Sequence, residues 1–222
     1  MHTIAIISQK GGSGKTTLAL HLAAAATAAG RVALVVDTDP QATASRWGEW
    51  RDGADPEVIS CAAPPLLPKT LEQAAQLGAE LAIIDTPPHA DSMAAAACRA
   101  ADLILIPCRP RAFDLDAIQT TADLVKMSGK PAAVIFTAGP PNAPRLYADA
   151  AELVTGFGLE VAPVILPQRA AYSDATGSGQ TAPEIDAGSR AAEEVAALWD
   201  CVCQLASIPT RQRANKKGRA AA

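Results

Sequence analysis

A glycine-rich stretch at residues 9–17, QKGGSGKTT, constrains the fold more than any other part of this 222-residue chain. It joins an apolar segment, residues 3–8, which predicts a β-strand, to residues 15–29, which predict a helix. A GK[ST] sequence at such a junction is typical of a phosphate-binding loop, because backbone N–H groups and the positive end of the helix point to one place. Lys15 is then expected to reach the β- and γ-phosphates, and Thr16 to hold Mg²⁺.

The loop departs from two better-known spellings. The common phosphate loop has a glycine where this chain has Gln9, and the dinucleotide-binding fingerprint needs a glycine where it has Thr17. A second lysine, Lys10, precedes the glycines. The residues predicted to bind the nucleotide here are Gly11, Gly12, Ser13, Gly14, Lys15, Thr16 and Thr17.

The spelling KGGSGKTT resembles the deviant Walker A motif of the ParA/MinD ATPases. In that family the early lysine reaches across a nucleotide-sandwich dimer to the partner's phosphates, and Lys10 stands at its position. The resemblance covers about residues 2 to 206. No helix-turn-helix extension of the larger ParA proteins precedes the loop, so the chain is similar to the short, plasmid ParF-like type.

Three acidic residues follow apolar segments that predict buried strands. Asp37 and Asp39 come after residues 32–36, and Asp85 after residues 81–84. Carboxylates at these strand ends would face the phosphate loop in a doubly wound sheet, although an Asx turn would also explain the first two. The resemblance implies that Asp39 positions the attacking water, that Asp37 supports the magnesium shell, and that Asp85 is the Walker B acid.

The resemblance also implies further functional segments. The sequence DTPP, which starts at Asp85, resembles switch II. Pro167 and Arg169, with Tyr172 nearby, resemble the adenine-side loop, while Thr137 stands where relatives often carry an adenine-binding asparagine.

The segment after the strand at residues 103–107 resembles a proline-rich segment of the family that ends in P-x-x-F-D. Here Asp114 is expected to cap the next helix. Arg109 and Arg111 are exposed candidates for a dimer or partner surface.

Strand and helix signals alternate from end to end, which predicts an α/β fold: a single doubly wound, mostly parallel sheet with helices on both faces, of the P-loop NTPase class. We expect one ATPase domain over residues 1–208 and a basic, flexible tail over residues 209–222. Residues 178–187 are expected to form a loop. No apolar run approaches the ~20 residues of a membrane span, and the start lacks a signal peptide, so a cytoplasmic protein is expected.

Charge and cysteine content add two expectations. Residues 211–219 carry five of the 19 basic side chains and no acid, so this tail has a charge of +5 within a chain of net charge −4. Such a tail suggests contact with a polyanion, or a solubilising disordered end. The five cysteines lack zinc-type spacing and are expected to be reduced and mostly buried, with a metal site at Cys201 and Cys203 as the alternative.

The function implied by the resemblance is a switch that uses ATP and Mg²⁺. The ATP-bound homodimer would bind non-specific DNA, with Arg190 and the tail as candidate contacts, and a ParB-like or centromere-binding partner would stimulate a weak ATPase. The protein would then be nucleoid-associated and partition DNA or position cargo.

Three alternatives remain open. A MinD-like membrane-surface ATPase is one, although the tail offers only alanines between its charges. A relative of the nitrogenase iron protein would need a surface cysteine pair that includes Cys98. A kinase is the third, since a phosphate loop alone does not name the acceptor.

Overall fold

The computed structural model describes residues 1–89 and 91–209. Within them, seven strands form one sheet in the order β3-β2-β4-β1-β5-β6-β7, and every neighbouring pair is parallel. The strands are β1 (His2–Ile6), β2 (Ala33–Asp37), β3 (Glu57–Ser60), β4 (Leu81–Asp85), β5 (Leu103–Cys108), β6 (Ala132–Thr137) and β7 (Glu160–Leu166).

The helices connect these strands and cover both faces of the sheet, which confirms the predicted doubly wound α/β fold. They are α1 (Lys15–Ala28), α2 (Thr43–Trp50), α3 (Leu67–Gln76), α4 (Asp91–Ala100), α5 (Ala112–Asp116), α6 (Ile118–Ser128), α7 (Pro144–Gly156), α8 (Ala170–Gly177), α9 (Ala182–Ile185) and α10 (Arg190–Leu205). A single 3-10 turn at Pro64–Leu66 precedes α3.

Side-chain alternation along the central strand produces two hydrophobic cores. In β1, Ile4 and Ile6 face a core shared with α1, α2, α8 and α10, whereas Ala5 faces a core shared with α3, α4, α6 and α7. A strand buried on both faces needs a continuous apolar run, which is the pattern that the sequence shows at residues 4–7. Most of the core consists of small and aliphatic side chains, and α1 itself contributes four buried alanines.

Several local predictions were wrong or incomplete. Strand β3 was not predicted, because it is a four-residue edge strand whose residues are only half-buried or exposed. Helix α8 was also missed, and the predicted loop at residues 178–187 contains α9. Asp114 is not a helix cap: α5 begins at Ala112 with Arg111 in the cap position, which places Asp114 inside the first turn.

The predicted tail lies outside the described residues from residue 210 onward. The division into a domain over residues 1–208 and a basic tail therefore stays a prediction. The described chain ends with Pro209, whose carbonyl accepts a hydrogen bond from Arg31.

Candidate functional site

The phosphate loop lies at the middle of the sheet's carboxyl edge. Strand β1 runs between β4 and β5, and the register places Ile6 beside Asp85, which in turn lies beside Asp37 of β2. Both acids share the strand face of Ile4 and Ile6, which α1 covers. The sheet therefore delivers two carboxylates to the start of α1, at the crevice where ligands bind in open α/β sheets.

The loop itself is shaped for an anion. Gly12 and Gly14 have φ angles of +70° and +93°, a left-handed conformation that other residues rarely adopt. Gly14 is the N-cap of α1, and no side chain caps the first turn of the helix, which carries no acid. The Oγ of Ser13 is buried without a hydrogen-bond partner in the described chain. The first N–H groups of α1 are therefore available to a phosphate.

The two lysines of the loop differ in their surroundings. Lys15 is 7% exposed, and its Nζ donates to the carbonyl of Lys10 at 3.2 Å. Burial lowers the pKa of Lys15, while the nearby Asp85 and Asp39 favour its charged form. The Lys10 side chain is exposed and lines a cavity of about 390 Å³ together with Gln9 and Asp91, which are joined by a 2.7 Å hydrogen bond.

Among the described residues, no donor meets hydrogen-bond geometry to the Asp85 carboxylate. Both carboxylate oxygens are buried and unpartnered among the described residues. Burial raises the pKa of Asp85 to about 7, and the nearby Thr16 hydroxyl, like Lys15, favours the charged form without a bond of normal geometry. Mg²⁺ is usually bound by one or two carboxylates together with substrate phosphates and water. The orphaned Asp85 oxygens beside the Thr16 hydroxyl fit that requirement.

The other two acids are already engaged. One oxygen of Asp37 accepts from the N–H and the hydroxyl of Ser45 in α2, both at 2.8 Å, and the other accepts from the N–H of Asp39 at 3.1 Å. Asp39 accepts from the N–H of Gln41 at 2.8 Å and remains partly exposed. The Asx turns that were the alternative interpretation are therefore present. They fix the backbone of this segment and leave the second oxygen of Asp39 open.

Three threonines that the sequence analysis did not identify as a group brace the strand ends. Thr38 donates to the carbonyl of Asp85, Thr86 to that of Ile6, and Thr137 to that of Ser13, each at 2.7 Å. Each threonine ends a strand or follows one directly, which is the signal that could have revealed them. Through Thr137, β6 supports the phosphate loop itself.

The predicted adenine-side residues lie at a cavity of about 190 Å³ next to the loop. Arg169 does not point freely into it, because its guanidinium forms a forked ion pair with Glu194 of α10, with contacts of 2.5 to 3.0 Å. The Tyr172 hydroxyl donates to the same carboxylate at 2.6 Å. The cavity is lined by Gly12, Gly14, Thr17, Leu18, Arg109, Thr137, Ala138, Leu166, Pro167, Gln168, Arg169, Tyr172 and Ser173.

Two contacts connect α1 and α2 to the segment that follows this cavity, and the first of them is buried. His21 is fully buried, and its ring lies between the Thr17 carbonyl at 2.8 Å and the Ala182 N–H at 3.1 Å. Arg51, at the end of α2, lies over the Trp47 ring and forms an ion pair with Glu184 at 2.7 Å. Sequence spacing gives no signal for these contacts, since the partners are more than 100 residues apart.

The remaining predictions concern cysteines and membranes. All five cysteines are free and buried, as predicted, and burial raises the pKa of the Cys98 thiol to about 11. A buried, protonated Cys98 does not support the iron-protein alternative. Within residues 1–89 and 91–209, no group of three or more His, Cys, Asp or Glu side chains could hold a metal. No helix in the same ranges is long and apolar enough to cross a membrane.

Comparisons with known proteins agree with this geometry. Residues 4–182 match the profile of the CobQ/CobB/MinD/ParA nucleotide binding domain. The chain is 30% identical over 203 residues to a maintenance of carboxysome distribution protein A from Halothiobacillus neapolitanus, which covers 87% of this chain and 92% of that protein.

Its namesake in Gloeobacter kilaueensis is 40% identical over 141 residues, which cover 63% of this chain and 64% of that protein, less than two thirds of its length. In shape, the chain resembles the ATP complex of an McdA variant from Cyanothece, with a TM-score of 0.73 and 18% identity over 95% of this chain and 98% of that one. At that identity the likeness shows a shared fold.

Proposed function

Because this chain belongs to the CobQ/CobB/MinD/ParA family of nucleotide-binding domains, we propose that it is a ParA-type ATPase that partitions DNA or positions another cargo. The observation that carries the proposal is Asp85. Its carboxylate is buried and unpartnered beside Lys15 and Thr16, at the mouth of an uncapped phosphate loop. A buried charge of this kind is costly unless a ligand pairs with it, so the site is built for a cation and a polyphosphate.

ATP and Mg²⁺ are the proposed ligands. Thr16 and Asp85 would hold the metal, directly or through its water, and Asp37 would keep the neighbouring strand end in place. The bound metal would supply positive charge that offsets the negative charge of the phosphate oxygens. The base would lie toward Pro167 in the cavity of about 190 Å³, with Arg169 and Tyr172 forming its far wall.

The chain's own residues supply positioning and positive charge, as phosphoryl transfer requires. Lys15 is poised over the loop, and the open N–H groups of α1 neutralise phosphate oxygens. Asp39, whose backbone is fixed by Asp37 and whose side chain keeps a free oxygen, orients the attacking water. With few groups to activate that water, a weak intrinsic rate is expected.

A second copy of the chain would complete the switch. Lys10 is exposed at the open edge of the loop, where it can reach phosphates held by another subunit. ATP would therefore hold a homodimer together, and hydrolysis would release it. We further propose a cytoplasmic protein that is nucleoid-associated in the ATP state, and a ParB-like or centromere-binding partner that stimulates hydrolysis. The two carboxysome-distribution relatives support a cargo other than DNA.

Light scattering in three nucleotide states tests this proposal. We expect a dimer with ATP and Mg²⁺, a monomer with ADP, and a monomer for Lys10→Ala with ATP. Lys69→Ala, which removes an exposed lysine from α3, is the matched control and should still form the dimer. A monomer in all states with ATP turnover intact would refute the dimer switch, and absence of ATP hydrolysis with and without DNA would refute the ATPase assignment.

The proposed DNA contacts need a separate test. Arg190 is exposed at the start of α10, whereas the basic residues 211–219 lie outside the described chain. A truncation after residue 210 should weaken binding of the ATP state to non-specific DNA and reduce the salt dependence of binding, because fewer counterions are released. Unchanged binding would assign the contact to the folded domain, and Arg190→Ala would then be the next variant.

A further inference from the structure

Arg109 lies against the outer edge of the phosphate loop. It follows β5, the strand next to β1, and its Nη2 donates a hydrogen bond to the Gly12 carbonyl. The contact is close enough that a Cβ added to Gly12 would lie 3.2 Å from the same nitrogen. Arg109 and Arg111 were both predicted to be exposed candidates for a dimer or partner surface, but Arg109 is only half-exposed, whereas Arg111 is exposed.

The guanidinium of Arg109 is incompletely satisfied in this position. Its Nε is buried and has no hydrogen-bond partner among the described residues. The ion pairs formed within those residues belong to Arg31, Arg51 and Arg169, so no carboxylate neutralises Arg109 there. A guanidinium carries five N–H donors, and a buried unpaired donor destabilises the conformation that holds it. The resting contact with Gly12 is therefore one that a better acceptor can replace.

The position of Arg109 identifies that acceptor. Its side chain lines the same cavity as Gly14 and Thr17 of the phosphate loop and α1, and as Pro167 and Tyr172, where the base is proposed to lie. A ligand with its base near Pro167 and its phosphates at the loop would occupy the cavity that Arg109 lines. Arginine binds phosphate oxygens strongly through its planar fork of donors, and an arginine without a carboxylate partner is free to do so.

We propose that Arg109 is a nucleotide-binding residue of its own subunit, which exchanges its hydrogen bond to Gly12 for an oxygen of the nucleotide's phosphate chain. This inference rests on the proposed function, since it assumes that the cavity holds a nucleotide. The exchange would also release the Gly12 carbonyl, so that the loop adjusts as phosphate binds. Arg109 thereby favours nucleoside di- and triphosphates over the unphosphorylated nucleoside.

Competition binding tests the assignment. ADP and adenosine would each displace a fluorescent ADP analogue from the wild-type chain, Arg109→Gln and Arg109→Lys, with Arg111→Gln as the matched neighbouring control. ADP is preferred because hydrolysis and dimer formation do not intervene. We expect Arg109→Gln to weaken ADP binding roughly 10- to 100-fold and to leave adenosine binding unchanged. Arg109→Lys should lose less, and the control should match the wild type.

The comparison of the two Arg109 variants separates phosphate binding from support of the loop. Gln keeps a neutral donor for Gly12 and Lys keeps the positive charge, so a purely structural role predicts that Gln is the better replacement. That ranking, an equal loss for ADP and adenosine, or ADP binding by Arg109→Gln as tight as wild type would each overturn the inference. Melting temperatures without nucleotide identify a variant that fails to fold, and the remaining variant then decides.

Failure of the underlying function looks different. If the wild-type chain binds neither ADP nor the fluorescent analogue, the proposed nucleotide switch is wrong, and the role of Arg109 is wrong with it. If the wild type binds both and the Arg109 variants bind ADP as tightly as the wild type does, the proposed nucleotide site stands and Arg109 alone is misassigned.

Discussion

Protonation of His21 is expected to destabilise the fold in mild acid. The imidazole is fully buried in α1, and its Nε2 accepts the N–H of Ala182 at 3.1 Å. Because that amide can only donate, Nε2 must be unprotonated, and the hydrogen on Nδ1 is donated to the Thr17 carbonyl at 2.8 Å. A second proton on the ring would oppose the amide hydrogen and place a charge in a core that holds the Tyr172 ring 5.1 Å away.

The size of this destabilisation follows from the shift in the pKa of His21. Burial lowers the pKa of His21 from 6.5 to about 4, although the Thr17 carbonyl and Glu184 act in the opposite direction. Between these values the unfolded chain binds a proton that the folded chain does not bind. The contribution of the neutral ring is therefore fully present above pH 6.5 and is lost as the pH falls toward 4. The difference between the two pKa values corresponds to about 3 kcal/mol of unfolding free energy.

Urea unfolding at a series of pH values, followed by tryptophan fluorescence, measures this contribution. The comparison is between wild type and His21→Gln, so that titration of the carboxylates common to both cancels. The stability advantage of the wild type should shrink by about 3 kcal/mol between pH 7 and pH 4, which shifts the relative midpoint by roughly 1 M or more. His2→Gln, at a partly exposed histidine of β1, is the matched histidine control. A wild-type advantage that stays constant across this range would refute the reasoning.

Three further predictions concern the site and its supports. Thr137→Val removes a buried hydrogen bond to a phosphate-loop carbonyl and should cost ~1–2 kcal/mol of unfolding free energy in urea titrations; an unchanged midpoint would contradict this. Gly179→Ala should lower the free energy of unfolding by more than about 2 kcal/mol, because φ at Gly179 is +72° and the new Cβ would lie 2.7 Å from the Trp50 backbone. Gly53→Ala is the control: φ is +80° but the surrounding space is open, so the loss should be only ~1 kcal/mol. Equal losses for the two variants would exclude the steric clash at Gly179. Burial raises the pKa of Asp85 from 3.8 to about 7, so the contribution of Asp85 to the free energy of unfolding falls as the pH rises through this range. Without nucleotide, Asp85→Asn should therefore be more stable than wild type at pH 8, by up to about 4 kcal/mol, and it should lose the stabilisation that ADP with Mg²⁺ gives the wild type. A variant that is less stable than wild type at pH 8 would oppose the assignment.

Much of the fold was predictable because its elements have strong local signals. Central strands such as β4 are apolar on both faces, and each is followed by a helix, so the parallel sheet could be predicted with its helices on both sides. Strand β3 was not predicted because an edge strand buries little apolar surface and needs no continuous apolar run. Asp114 was misplaced because α5 starts two residues earlier, with the N–H of Leu115 bonded to the Arg111 carbonyl.

The candidate site was predictable in its parts but not in their pairing. Spacing indicated the phosphate loop and the acids at strand ends, and the fold brings Asp37 and Asp85 side by side. Sequence spacing could not show that Arg169 would form an ion pair with Glu194, or that Arg109 would donate a hydrogen bond to the Gly12 carbonyl. These partners come into contact only after the sheet has assembled. Long-range contacts of this kind depend on packing, and no local pattern encodes them.

The strand order of the sheet has a consequence for how such a chain can evolve. With β1 in the middle, the strands that end in Asp37 and Asp85 lie on one flank, and the strands that lead to Thr137 and Pro167 lie on the other. Under the proposed function, the first flank sets how long the triphosphate survives and the second sets which base is held. Substitutions at the strand ends of one flank can therefore change the lifetime of the ATP-bound state while the strand ends of the other flank keep their positions, because the central strand and its loop lie between the two.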